Sequence, residues 1–237
     1  MSAPYYSDDA VTLYHGDCLD VMRDMPDASV GAVLTDPPYT ERTHSMAKTN
    51  RGAGHGVKAI GFVSMSDAEL RQALAECGRI SRGWVVATLA YQHAVAMELD
   101  PPKGLRVMRV GVWVKTNPMP QISADRPGQG WEAIAYLHRD DVKPAWNGGG
   151  KHGNYILPVQ QNEGHPTTKP IGMLRDMVRR FTEPGETVLD PFAGSGTTLR
   201  AAVDEGRRAI GVEIDAKYCA IAASRMPQGA LDFGATA

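Results

Sequence analysis

At 237 residues the chain is long enough for one α/β domain with a sizeable core. Its 43% hydrophobic and 22% charged residues match ordinary globular usage and exclude a disordered chain, while the net charge of −2 argues against a surface coated in basic residues for nucleic acid. No apolar run approaches the roughly 18 residues of a membrane span, MSAPYYSDDA lacks the basic start and apolar core of a signal, and Cys18, Cys77 and Cys219 offer neither a disulfide framework nor a CxxC metal pair, so the expectation is a cytoplasmic protein with no membrane contact and no metal.

In chain order, strand and helix signals alternate. VTLYHGD reads as a strand, CLDVMRDM as an amphipathic helix and SVGAVLTD as a second strand, a βαβ pattern that implies a mostly parallel sheet. Residues 40–62 break this pattern. They are Gly-rich, show little periodicity and exceed an ordinary connection, which leaves either a disordered segment or a working loop. Arg42, Lys48, Arg51 and Lys58 against Glu41 give this segment a local charge of +3. Ser66 with Glu69 three residues on forms a capping box that opens a helix running to about Ile80. GWVVATLA follows as a strand, YQHAVAMEL as a short helix stopped by Pro101 and Pro102, and LRVMRVGVWVK and WEAIAYLHR as two more strands. Residues 140–164, with AWNGGGKHGNY, form a second long irregular segment. Regularity returns with the helix KPIGMLRDMVRRFT, where Pro170 sits near the first turn, then strand ETVLD, loop PFAGSG, helix TTLRAAVDEG, strand RRAIGVEID and helix AKYCAIAASRM. With no repeat and no dividing linker, residues 1–237 read as a single domain carrying two long insertions, 40–62 and 140–164.

Two stretches carry chemistry. In DPFAGSGTT, between a strand and a helix, Gly194 and Gly196 let backbone approach a ligand, and the helix N-terminus beyond offers free N–H groups. A phosphate loop would need a Lys before the Ser/Thr, and none is present; a plain glycine turn is the bland alternative. Glu213 ends the next strand about 20 residues on, where nucleotide-binding α/β folds place an acid on ribose hydroxyls. An exposed strand-end acid is the alternative there. In DPPY, proline locks the chain at a strand end, so that Asp36, the Pro37 carbonyl and the Tyr39 ring project together. That set suits a planar ring with an exocyclic amine: two acceptors for its N–H groups and a face for stacking. A proline turn with Tyr39 in the core is the other reading.

DPPY, DPFAGSGTT, HPTTKP and VGVWVKTNP, in this sequence, together resemble the amino-group DNA methyltransferases that use S-adenosylmethionine, specifically their β group, where DPPY precedes the glycine loop. The resemblance implies a doubly wound, Rossmann-like α/β fold of about seven mostly parallel strands in permuted order, with Asp36 and Asp190 close in space. It implies catalytic roles for Asp36, Pro37, Pro38 and Tyr39. It places Asp17 and Cys18 at the cofactor, with Asp17 on its adenine, Glu213 at its ribose, Phe192, Gly194, Ser195 and Gly196 around its methionine part, and Asp190 and Thr197 among the cofactor-binding residues. Lys169 and the following helix N-terminus would meet its carboxylate. A helix N-cap for Asp17 and a solvated cation for Lys169 remain the bland alternatives. Site-specific transfer of a methyl group to N6 of a flipped-out adenine in double-stranded DNA follows, because an Asp at the first motif position leans toward adenine in the family. N4-cytosine methylation, an RNA or protein amide methyltransferase, and a silent DNA-binding module are the rivals. DNA contact falls to the two long segments, with Arg42, Lys48, Arg51 and Lys58 on phosphates and Trp146 and Lys151, with Asn147, His152 and Asn154, near the base. The short chain leaves little room for a separate recognition domain, so a homodimer is expected.

Overall fold

The structure is a computed structural model and describes residues 3–38, 65–121, 125–160 and 169–226. Nine strands occur among these residues: β1 (Tyr6–Ser7), β2 (Val11–His15), β3 (Val30–Thr35), β4 (Ser81–Leu89), β5 (Leu105–Lys115), β6 (Trp131–Arg139), β7 (Tyr155–Leu157), β8 (Thr187–Asp190) and β9 (Arg208–Glu213). Six helices accompany them: α1 (Cys18–Arg23), α2 (Asp67–Ile80), α3 (Tyr91–Leu99), α4 (Ile171–Phe181), α5 (Thr197–Asp204) and α6 (Ala216–Arg225). All strands join one sheet in the order β1-β2-β9-β8-β3-β4-β6-β5-β7.

The run from β2 through β9, β8 and β3 to β4 is parallel, β4-β6-β5 is antiparallel, and β7 lies parallel to β5. The sheet is therefore mostly parallel as expected, with nine strands in place of about seven. The additional strands are the two shortest. β1 pairs only Tyr6 and Ser7 with β2, and β7 holds three residues inside the segment read from sequence as irregular. Neither is long enough to show a period of two.

All six residues of β3 are buried, which is what a strand covered on both faces requires. On one face Leu13, Ala32, Leu34, Val86 and Ile134 pack with Met173, Met177 and Phe181 of α4, Leu199 of α5 and Cys219 of α6. On the other, Val33, Val85, Ala87 and Leu137 meet Cys18 and Met22 of α1, Leu70 and Leu74 of α2 and Met97 of α3. Each of the Leu, Ile, Val, Met and Phe side chains among these contributes about 1.5–3 kcal/mol on burial, so the three-layer stack is held mainly by the sheet's two apolar faces. Helix α2 opens with the expected capping box: Ser66 Oγ accepts from Glu69 N at 3.2 Å, and Glu69 Oε2 accepts from Ser66 N at 2.7 Å.

From β3 the chain crosses to β4 on one side, and from β8 to β9 on the other. The sheet thus changes winding direction between β3 and β8, and a crevice opens beyond the carboxyl ends of these strands. Asp36 and the glycine loop lie on either side of that point.

Candidate active site

Asp36 and Asp190 leave neighbouring strands at this switch point. Val33 pairs with Leu189 in the parallel register, and Thr35 Oγ1 donates to Asp190 Oδ1 at 2.8 Å. Asp190 is only 2% exposed; burial pushes its carboxyl up to about 6, against hydrogen bonds from Thr198, Thr35 and the Phe192 N–H that favour the anion, while the Asp36 charge adds to the rise. The carboxylate works as the fixed base of the glycine loop.

In that loop Gly194 and Gly196 both take left-handed conformations, at φ 51° and 79°. Gly194 N donates to Glu213 Oε2 at 2.8 Å, and Asp215 N donates to Glu213 Oε1 at 2.8 Å, so the acid at the end of β9 is tied to the loop it faces. Burial raises the Glu213 carboxyl above its ordinary value, opposed by those two N–H groups. Gly196 is the N-cap of α5 and supplies no side-chain cap, which leaves first-turn N–H groups of that helix open to a polar ligand. Ser195 and Thr197 are buried, and both meet the Arg225 guanidinium, at 3.1 and 3.3 Å from their hydroxyls. Phe192 is half-buried against the core.

Just beyond β2, which neighbours β9, Asp17 caps α1, with Oδ1 accepting from Leu19 N at 2.8 Å. The bland helix-cap role is thus present, and it engages one of the two carboxylate oxygens. Cys18 is buried in α1, and burial pushes its thiol up to about 12, so its side chain is a packing group.

Asp36 is the centre of a second constellation. Oδ1 accepts from Thr88 Oγ1 at 2.6 Å and Oδ2 from Lys169 Nζ at 2.5 Å. Lys169 also lies 3.2 Å from Glu132 Oε2, and Lys115 Nζ lies 2.6 Å from Glu132 Oε1. Burial pushes the Glu132 carboxyl up, but the two ammonium groups outweigh it and hold the carboxyl below its ordinary value. Two acids and two lysines alternate here, closed from below by the buried Trp113, whose ring centroid is 6.0 Å from Lys169 Nζ and 5.1 Å from Lys115 Nζ. Pro37 is buried and Pro38 half-buried behind Asp36. Lys169, expected at the cofactor's carboxylate or in solvent, is 6% exposed and bound to Asp36.

Thr88, Glu132 and Lys115 did not emerge from the sequence. Their signal was weak: a polar residue closing or opening an apolar strand, as in ATL, WEA and WVK. Tyr39, Arg42, Lys48, Arg51, Lys58 and the first four residues of HPTTKP lie outside the described residues. Trp146 and Lys151 are described, but elsewhere. They line a cavity of about 520 Å³ with Trp84, Arg109, Tyr136 and Phe181. Trp84 precedes Thr88 by four residues of β4, about 13 Å of extended strand, so this cavity is not brought together with Asp36. The Trp146 ring packs 5.9 Å from Phe181. Among the described residues no group of three or more His, Cys, Asp or Glu side chains is placed to hold a metal ion, and no helix is long and apolar enough to cross a membrane.

Residues 30–224 match the family model described as DNA methylase, covering both constellations. The chain belongs to the DNA methylases. Curated relatives agree: the type II methyltransferase M2.DpnII of Streptococcus pneumoniae is 26% identical over 262 residues, covering 95% of this chain and 93% of its own, and M.XycI of Xanthomonas campestris pv. cyanopsidis is 28% identical over 267 residues, covering 91% and 87%. The fold is also that of the M1.HpyAVI complex with S-adenosylmethionine (TM-score 0.68, 24% identity, 91% of this chain and 100% of that one) and of the PvuII cytosine-N4-specific DNA methyltransferase (TM-score 0.72, 18% identity, 98% and 90%). The methylase is an amino-group DNA methyltransferase that uses S-adenosylmethionine. Its residues fit that cofactor: left-handed glycines, an uncapped helix N-terminus and a loop-tied acid at the end of β9 form one cradle at the crevice.

Proposed function

We propose that the methylase transfers the methyl group to the exocyclic N6 amine of adenine, taken out of double-stranded DNA into the crevice beside Asp36. The observation that carries this reading is the position of Asp36, at the carboxyl end of β3, against the cofactor cradle, with its side chain one-third exposed in the crevice. When bound, the cofactor supplies an electrophilic methyl on a sulfonium. The amine nitrogen of adenine is a poor nucleophile because its lone pair is delocalised into the ring. Asp36 and the Pro37 carbonyl accept its two N–H bonds, which localises that lone pair and aims it. Tyr39 supplies a stacking face for the base, and unpairing it from the duplex costs a few kcal/mol that these contacts offset. Since cytosine offers an exocyclic amine to the same acceptors, N4 methylation is the second reading, and duplexes carrying each base separate the two.

In Asp36→Ala, binding of S-adenosylmethionine by calorimetry is expected to stay within a few-fold of the parent while methyl transfer falls by at least about a hundredfold. Full transfer in that variant removes the reading. The basic segment 40–62 is assigned to phosphates. Replacing Lys48, Arg51 and Lys58 together by Ala should lower the slope of log affinity against log salt by about 0.9 per lost contact, and an unchanged slope removes the segment from the interface. Two chains act together on the duplex, with the exposed apolar stripe of α3 (Tyr91, Val95, Leu99) as their meeting face, and the activity serves as the modification half of a restriction–modification pair.

A further inference from the structure

Both oxygens of Asp36 are engaged before any base arrives, Oδ1 by the Thr88 hydroxyl at 2.6 Å and Oδ2 by Lys169 Nζ at 2.5 Å. Each oxygen keeps a second lone-pair site, yet an amine that binds Oδ2 must share it with the lysine ammonium, a cation that draws electron density from the acceptor. The Lys169 side chain is 7% exposed, so its ammonium cannot simply withdraw into water; wherever it goes inside the protein, it needs a counter-charge. One is already in place. Glu132 Oε2 stands 3.2 Å from Nζ, close enough for an ion pair, yet it is buried and has no hydrogen-bond partner among the described residues. Its other oxygen is held by Lys115 at 2.6 Å, which fixes the carboxylate where it stands. A buried carboxylate oxygen that is ion-paired at 3.2 Å without a well-aligned hydrogen bond keeps acceptor capacity in reserve, and here it points to a second seat for the cation beside it.

We propose that Glu132 is a positioning residue that receives Lys169 when the target amine takes the lysine's place on Asp36 Oδ2. The ammonium moves between two carboxylates that both lie within 3.2 Å of it, so its charge is neutralised at every point, and the Trp113 ring 6.0 Å away lines the same wall. Lys169 thereby keeps Asp36 oriented before the base enters and leaves it open afterwards. No bond forms or breaks in this step. The inference builds on Asp36 as the amine acceptor.

Glu132→Gln keeps the shape of the side chain and removes its charge, leaving Lys169 committed to Asp36. The expected result is a kcat for methyl transfer at least tenfold lower, with KM for the DNA duplex and the calorimetric Kd for S-adenosylmethionine within twofold of the parent. Glu132→Asp should recover most of the lost kcat. Because an acid lost between two lysines can disturb folding, Glu132→Gln is also combined with Lys115→Met, which restores the charge balance; the same loss of kcat is expected at a parent-like Tm. A kcat within twofold of the parent in Glu132→Gln overturns the proposal. So does recovery of kcat in the balanced pair, which is what a merely structural role produces. A tenfold weaker Kd for S-adenosylmethionine in Glu132→Gln overturns it as well, because Lys169 and Glu132 would then serve the cofactor. Full transfer in Asp36→Ala removes the acceptor reading itself, whereas loss there with a parent-like Glu132→Gln removes this inference alone.

Discussion

At the scale of single residues, burial and hydrogen bonding oppose each other at Asp190. Its carboxyl rises from the usual 3.8 to about 6 because burial disfavours the anion more than its three hydrogen bonds favour it. With the folded pKa above the unfolded one, the folded state holds the proton longer as pH rises. The contribution to stability is fully present below about pH 4 and is lost as pH climbs through 6. Two units correspond to about 3 kcal/mol. Asp190→Asn should therefore flatten the pH dependence: in urea unfolding, the parent loses about 3 kcal/mol relative to the variant between pH 4 and pH 6.5, and parallel curves would contradict the assignment. The sequence pointed to Asp190 through its glycines, since a strand-end acid before a Gly-rich turn is a local pattern. It could not show Thr35 as the hydrogen-bond partner, because that contact joins two strands far apart in the chain.

Elements were legible where their period was long enough to repeat. Strands β5 and β6 and helices α2, α3 and α4 lie where alternation, the Ser66–Glu69 box and helical spacing place them, with ends shifted by a few residues. The two-residue β1 and three-residue β7 carry no period, and their partners decide them. Between β8 and α5 one residue determines how the elements join. Gly196, at φ 79°, caps α5, and a Cβ placed there would lie 2.9 Å from Ala222 Cβ on α6. A non-glycine residue in this conformation costs about 1–2 kcal/mol, and the clash forces α6 away from the loop as well. Gly196→Ala is thus expected to lower the unfolding free energy by about 2 kcal/mol or more and to weaken S-adenosylmethionine binding in parallel. A loss below about 0.5 kcal/mol by chemical denaturation would mean that the loop relaxes without help from glycine.

Over the whole molecule, DPPY and the glycine loop were legible as separate motifs, and the topology accounts for their meeting: the sheet changes winding direction between β3 and β8 and brings the two strand ends side by side. The chain of contacts through Thr88, Asp36, Lys169, Glu132 and Lys115 draws on β4, the end of β3, a residue two before α4, β6 and β5, so no local window contains it. The same sheet sets the outer surface. Helix α3 packs Ala94 and Met97 inward, and its opposite side exposes Tyr91, Val95 and Leu99 at spacings of four, with Leu99 87% exposed. The Tyr91 ring lies 5.8 Å from that of Trp131, which begins β6 next to Glu132, so the apolar stripe runs up to the edge of the active site. The proposed pairing of two chains would use this exposed apolar stripe, and a two-fold axis through it would set two crevices side by side on one duplex. If two chains meet there, Val95→Glu together with Leu99→Glu buries like charges across the two-fold axis. Sedimentation should then show a shift from dimer to monomer with S-adenosylmethionine affinity unchanged, because neither residue reaches the cofactor cradle. A parent that sediments as a monomer at micromolar concentration, with and without duplex, would rule out the pairing. A dimer that survives both glutamates would move it to another face.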